Sequence, residues 1–339
     1  MPELPTLVAA LVLALVPAAV YLFVLNAIDR YEKEPWTFLL SSVGLGAIAA
    51  PLITLAFLAL AGRAAALPPA FAPGLRVDPL LGIVEELVKG MLLYALVHSI
   101  RDEFDDVLDG VVYGAALGAG FGAAETFTYA LGGTSLLSGG TIVALVIAGL
   151  NHAFYSAVFG AIVGAAQRLV RARYLVVVVL ALATAAFLHA FHDTFPLILS
   201  RIVGQPDAAV GFLSRLAANA INWLGIATLA LTVALAWRRE ARILRVELHD
   251  EVAAGAVSEA DFATITSFRR RLGRQGALLR SGGLGPVLRL RRRYAAEGEL
   301  AFHKWRLTVR TNRPPAATRG DELRARILEL QAAGAEEQG

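Results

Sequence analysis

The chain has 339 residues, of which 57% are hydrophobic and 17% charged, with a mean hydropathy of +0.60. A water-soluble domain carries nearer a quarter charged residues, so this composition points to a polytopic membrane protein. The formal net charge of +3 hides a division: from Arg238 onward there are 20 Lys+Arg against 13 Asp+Glu, and before it 11 against 15. The chain has no cysteine, which excludes disulfides, thiol catalysis and thiolate metal ligation.

In chain order, seven stretches meet the requirement of about 20 mostly apolar residues per span. They lie near residues 4–28, 36–61, 79–100, 110–131, 141–166, 174–200 and 212–237. The first lacks a basic leading region and is longer than the core of a cleavable signal, so it reads as a span. Lys and Arg in short loops mark the cytoplasmic side. The tail opens on Arg238-Arg239, the fifth-to-sixth loop holds Arg168, Arg171 and Arg173, and the first-to-second loop holds Arg30 and Lys33. These three belong together inside, although Arg63 and Arg76 fall outside. The expected fold class is all-α: a transmembrane bundle of about seven spans over residues 1–237 and a small, basic, helical cytoplasmic tail over 238–339.

In the tail, Ser258-Glu259-Ala260-Asp261 has the pattern of a helix N-cap with an acidic first turn. Residues 323–331 have helical apolar spacing. Gly282-Gly283, Pro314-Pro315 and the last few residues read as loop or disorder, so short helices on loops are expected. The tail's charge suits anionic lipid. Nucleic acid is not an expected partner, because the basic residues are diffuse and no binding motif stands out. No internal repeat is evident.

Ionisable groups inside a span cost about 2.5–3.5 kcal/mol each, so those present need a reason. Glu85, Glu86 and Lys89 lie in the third span, Glu125 in the fourth, Asn151 and His152 in the fifth, and His189, His192 and Asp193 in the sixth. Helical spacing sets Gly82, Glu86 and Lys89 on one face, with Glu85 four residues before Lys89. Gly110, Gly114, Gly118 and Gly122 form a stripe that lets another helix approach, and Glu125 shares its face. His152, Ser156, Gly160 and Gly164 form a similar stripe, and His189 and Asp193 are one turn apart. At 1.5 Å per residue, Glu85 and Glu125 each lie roughly 9 Å below the outer end of their span, and His152 and His189 roughly 14–17 Å. Four helices running in alternating directions thus bring their polar groups to one layer in the outer half of the bilayer. Scattered structural polar groups would not share a depth. His98 reads as interfacial, the acidic stretch 102–109 as a solvated turn, and Asn219 and Asn222 as helix-to-helix glue.

These motifs resemble those of the PrsW family of intramembrane proteases. Glu85-Glu86-Leu87-Val88-Lys89 is similar to its EExxK motif, Phe121-Gly122-Ala123-Ala124-Glu125 to FxxxE, and His189-Ala190-Phe191-His192-Asp193 to HxxxD/N. His152 stands where the family carries a histidine on the intervening helix, and the stretches DRYEKEPW at 29–36 and FDDVLDGVVYG at 104–114 are also similar. The related CAAX prenyl endopeptidases use EExxxR and FxxxH, which Lys89 and Glu125 do not match. Thr126 stands where many members carry asparagine, and His192 is an additional histidine. The resemblance covers about residues 29–200 and excludes the tail.

The resemblance implies a membrane-embedded endopeptidase acting on a membrane-anchored protein, in the founding case an anti-sigma factor. Hydrolysis needs water, a base and an oxyanion stabiliser. Glu85 or Glu86 can be the base, beside Lys89. His152 and His189 can hold a divalent metal such as zinc with Glu125 as third ligand, or bond the oxyanion and the water directly. Asp193 would orient His189 or act as a ligand. The expected substrate is a single-span membrane protein, cut near its extracytoplasmic end. A proton-coupled transporter or channel is the alternative class, since it also uses buried Glu, His and Lys; a non-catalytic membrane scaffold is a third.

Overall fold

The computed structural model describes residues 3–61, 79–101, 103–131, 139–203, 208–309 and 318–336. Arg63, Arg76 and Pro314-Pro315 lie outside them. Every regular element among the described residues is helical. Two compact units result, one of residues 1–29 and 34–233, the other of residues 30–33 and 234–339.

The first unit is a helical bundle: α1 (Leu4–Ile28), α2 (Trp36–Gly44), a single π-helical turn (Leu45–Ala49), α3 (Ala50–Leu60), α4 (Pro79–Ser99), α5 (Val107–Leu131), α6 (Gly139–Ala165), α7 (Arg171–Val203) and α8 (Ala208–Glu247), the last continuing into the second unit. Each of the seven apolar stretches thus contains helix. Six helical segments among the described residues are long and apolar enough to cross a membrane; α4 is not one of them, because its middle holds Glu85, Glu86 and Lys89. The chain is a multi-pass membrane protein.

Helix α5 lies at the centre of the bundle, with most of its residues buried, and packs against α6, α1 and the α2 and π-turn segment. In α1, by contrast, Leu4, Val12, Leu15 and Phe23 are exposed, as expected of a helix surrounded by lipid. The glycine stripe explains how closely α5 and α6 pack. A Cβ at Gly110 would collide with the Gly160 carbonyl, one at Gly114 with that of Ser156, and one at Gly118 with that of His152. Gly164 meets the Asp106 carbonyl in the same way, and Gly120 meets that of Val43. Small residues replace the hydrophobic effect as the basis of helix association in lipid.

The acidic stretch before α5 is not a solvated turn. Asp106 and Asp109 are buried, Asp109 accepting from the Asp105 and Asp106 amides at 2.7 and 3.0 Å and Asp106 from the Leu108 amide at 2.6 Å. Unpaired amides at a helix start attract carboxylates, which is why these side chains turn inward. Asp102 lies outside the described residues.

The second unit adds α9 (His249–Ala253), α10 (Glu259–Ile265), α11 (Phe268–Gly282), α12 (Leu284–Val309) and α13 (Thr318–Glu336) to the end of α8. Ser258 caps α10 by accepting from the Asp261 amide at 3.1 Å. Gly282 and Gly283 are a tight helix-to-helix corner, not a loop, with Gly283 at φ +73°, which favours glycine. Helix α12 runs 26 residues, so the tail is not short helices on loops.

Its core includes Leu244, Leu248, Ile265, Tyr294, Leu300 and Ile327, together with Tyr31 from the first-to-second loop. That loop is a structural part of this unit. Arg30 lies between the Trp237 and Phe268 rings, 3.2 and 3.7 Å from their centroids. Arg271 donates to the Arg30 carbonyl at 2.9 Å, and Arg306 pairs with Glu32. Glycine at 298 lets α12 approach the Tyr31 carbonyl.

Candidate active site

Four helices each supply part of one polar cluster. On α4, Glu86 and Lys89 are three residues apart and form a buried ion pair. Lys89 Nζ also reaches His152 Nδ1 of α6 at 3.1 Å. His152 Nε2 lies 2.5 Å from Glu125 Oε2 of α5. Glu86 Oε1 meanwhile lies 2.9 Å from His189 Nδ1 of α7. An unbroken line of polar contacts therefore joins α5, α6, α4 and α7. Asp193 Oδ2 stands 3.5 Å from His189 Nε2, and Glu85 Oε2 stands 3.9 Å from the same nitrogen. All seven residues singled out in the sequence are in this cluster.

Burial grades across it. The Glu86 and Lys89 side chains are 1% exposed, and those of Glu125 and Asp193 are 26% and 30% exposed, so the cluster opens on the side of the last two. Lysine is a donor only, so the bond to Lys89 makes His152 Nδ1 an acceptor and leaves its Nε2 proton for Glu125. Glu86 is occupied twice, by Lys89 and by His189. Glu85 is the less engaged of the two glutamates: 3.9 Å is too long for a hydrogen bond to His189 and suits a small ligand shared between them.

Aromatic packing fixes the imidazoles. The two rings lie 5.0 Å apart at 80°. Phe121, the aromatic residue of the FxxxE motif, is edge-on to His152 at 5.0 Å and lies beneath the Lys89 ammonium at 4.4 Å. Tyr155 stacks on His189 at 4.9 Å. Gly82 is small for the same purpose: a Cβ there would press on the His189 ring and on Asp193.

Three participants were not evident beforehand. Tyr155 lies one turn after His152, a spacing that placed it near the site without revealing its stack on His189. Asn222 of α8, read as glue, donates to the Tyr155 hydroxyl at 2.9 Å and contacts His192 Nδ1 at 3.2 Å. Tyr129, one turn after Glu125, hydrogen-bonds its carboxylate. The extra histidine, His192, is held by Asn222 and Asn151 and not by the carboxylates of the cluster.

Among the described residues, one group of side chains has the spacing of a metal site: Glu85, His152 and His189, with one ligand atom from each within 4.8 Å of the others. Two imidazoles and a carboxylate are a donor set that suits zinc and leaves a position for water. The expected trio had Glu125 in place of Glu85. The difference arises because Glu125 lies 2.5 Å from His152 Nε2; it would orient His152 as a ligand only through Nδ1, which Lys89 would have to release.

No curated protein and no solved structure matches the chain. A family model does, over residues 34–218, more than half of the chain: that of the PrsW family intramembrane metalloproteases. The match spans the helices that carry all four parts of the cluster, and it decides between the protease and transporter readings. The chain belongs to the PrsW family of intramembrane metalloproteases and is an endopeptidase embedded in the membrane.

Proposed function

We propose that Glu85 is the general base of peptide-bond hydrolysis and that His152 and His189 face the reacting carbonyl with it. The observation that carries this reading is the difference between the two glutamates. Glu86 is bonded to Lys89 and His189, whereas Glu85 stands 3.9 Å from His189, beyond hydrogen-bond reach and at a separation one bridging ligand can span. The sequence left the two carboxylates equivalent.

In this account the Glu85 carboxylate takes a proton from water as the water oxygen attacks the scissile carbonyl carbon. It returns that proton to the amide nitrogen as the C–N bond breaks. His189, held by Glu86, Asp193 and the Tyr155 stack, presents Nε2 to the reacting atoms. His152, held by Lys89 and Glu125, would present the second imidazole only through a nitrogen that one of them releases. A divalent metal, with zinc the best match to the donor set, would be held by Glu85, His152 and His189; Glu85 would then be a ligand in place of the base, and the metal would supply Lewis-acid polarisation of the carbonyl.

The substrate in this reading is a membrane protein with a single span, an anti-sigma factor being one candidate class. A transmembrane helix hides its carbonyls in backbone hydrogen bonds and must open before it is attacked. With the tail in the cytoplasm, the cluster lies in the outer half of the bilayer, and substrate helix ends fray there most easily.

The experiment compares wild-type protein, Glu85→Gln and His189→Ala in detergent, measuring metal content by elemental analysis and cleavage of tagged single-span substrates. Loss of cleavage in Glu85→Gln with intact thermal stability supports the base assignment. Cleavage at the wild-type rate in that variant removes it. Bound metal that falls with His189→Ala supports the ligand set, and full activity in metal-free protein leaves the two imidazoles as oxyanion donors.

A further inference from the structure

We propose that α11 of the C-terminal unit is a membrane-docking helix that lies on an anionic bilayer surface with an apolar stripe inserted among lipid headgroups. This does not depend on the proteolytic reading. It replaces a diffuse attraction of the tail for lipid with one defined face.

Residues 268–296 contain nine arginines and no acidic residue. The C-terminal unit is therefore not basic throughout; a large part of its positive charge is concentrated in α11 and the first half of α12. Within α11, Phe268, Leu272 and Leu279 recur at i, i+4 and i+11, which sets them on one stripe of the helix. They are exposed by 37%, 59% and 49%, and α11 has no buried residue at all. Arg269 and Arg280 border one side of this stripe, and Arg270 is exposed on the far side. An apolar stripe bordered by arginines is the pattern of a helix that rests in the membrane interface, with its apolar groups among the acyl chains and its guanidinium groups at phosphate level.

Two covalent attachments keep this helix near a bilayer. The unit continues directly from α8, and it includes the four residues 30–33 that join two membrane-spanning segments. Arg30 stacks on Phe268, the first residue of α11, at 3.7 Å from the ring centroid. Arg30 is only two residues beyond Ile28, where α1 ends, a reach of at most ~7 Å of chain. The start of α11 is thus tied to a residue at the membrane boundary. Nucleic acid would also complement the arginines, but it offers nothing to three large exposed apolar side chains.

The absence of cysteine makes the test direct. Single cysteines replacing Leu279 or Leu272 in the full chain are labelled with an environment-sensitive fluorophore, with Glu329→Cys on α13 as control. The protein is placed in nanodiscs of phosphatidylcholine alone or with phosphatidylglycerol, each with and without a lipid-borne quencher. The proposal requires a blue shift and lipid quenching at 279 and 272 in the anionic nanodiscs, and little at 329. Each of Arg269→Gln, Arg270→Gln and Arg280→Gln should weaken the anionic-lipid signal by about fivefold, and added salt should weaken it further. Three results would overturn it: no quenching in anionic nanodiscs, equal quenching in pure phosphatidylcholine, or equal quenching at 329. A labelled α11 that responds to an RNA oligonucleotide and not to lipid would assign the surface to nucleic acid instead.

Discussion

Glu85 and Glu86 are adjacent, yet the structure gives them different surroundings, and their substitutions should fail differently. In the proposed mechanism Glu85→Gln removes the general base. Cleavage should fall by about 10²–10⁴-fold with folding unchanged, measured as initial rate beside a melting curve in detergent. Glu86→Gln instead strips a carboxylate from Lys89, whose side chain is 1% exposed. Breaking a buried ion pair by removing one partner costs about 3–5 kcal/mol, because the other charge is left uncompensated. That variant should therefore melt earlier as well as lose activity. The double variant Glu86→Gln/Lys89→Met should recover part of the stability and none of the activity. At this scale the sequence was informative, since residue type and helical spacing identified all seven members of the cluster. What it could not supply were side chains recruited by distant packing. Asn222 is 67 positions from the Tyr155 hydroxyl it bonds, and no spacing rule connects them.

At the scale of helices, the α5–α6 pair determines where His152 sits. Gly118→Ala would drive a methyl group into the His152 carbonyl, and Gly114→Ala into that of Ser156. A backbone carbonyl cannot move aside as a side chain can, so the helices must separate. Gly118→Ala should abolish cleavage and lower the melting temperature, whereas Gly44→Ala, with nothing within 4 Å of the added Cβ, should be neutral to slightly stabilising. Equal effects of the two would show that the stripe does not set the helix spacing. The stripe was readable from the four-residue glycine repeat; the π-helical turn in the second span was not, because it reflects local packing on α5.

Helix α12 supplies a second test. Glu297 is fully buried, and Asp261 binds Arg274 at 3.0 Å and Arg293 at 2.5 Å. Arg293 Nε is left 3.8 Å from the Glu297 carboxyl. Burial first, and then the Asp261 charge, push the Glu297 carboxyl up from 4.5 to about 8. A raised carboxyl favours the protonated form in the folded state. Its contribution is therefore complete below the unfolded value near 4.5 and is lost as pH rises toward 8. Glu297→Gln should protect the amides of the C-terminal unit from hydrogen exchange more than wild type at pH 8, and about equally at pH 5. No difference between the two pH values would place the carboxyl elsewhere than in a dry core.

For the molecule as a whole, charge segregation and seven apolar stretches pointed to a membrane bundle and a basic tail. They did not reveal that residues 30–33 belong with the tail, because Arg30 and Tyr31 find their partners, Trp237, Phe268 and Tyr294 among them, more than 200 residues later. This arrangement requires the first-to-second loop and the tail to share one side of the membrane, in agreement with their lysines and arginines. With that side cytoplasmic, the cluster faces outward, and substrates should be cut at or just outside the extracytoplasmic end of their span. Small residues should be preferred at the cut, since the closely packed α5–α6 pair leaves a narrow cleft.

The most direct measurement compares new N-termini of membrane proteins, identified by mass spectrometry, in cells producing wild-type protein and cells producing Glu85→Gln at equal level. The account predicts a small set of peptides seen only with wild type, each starting near the extracytoplasmic end of a single span. The same set in both strains, or cuts in the cytoplasmic third of the span, would contradict it.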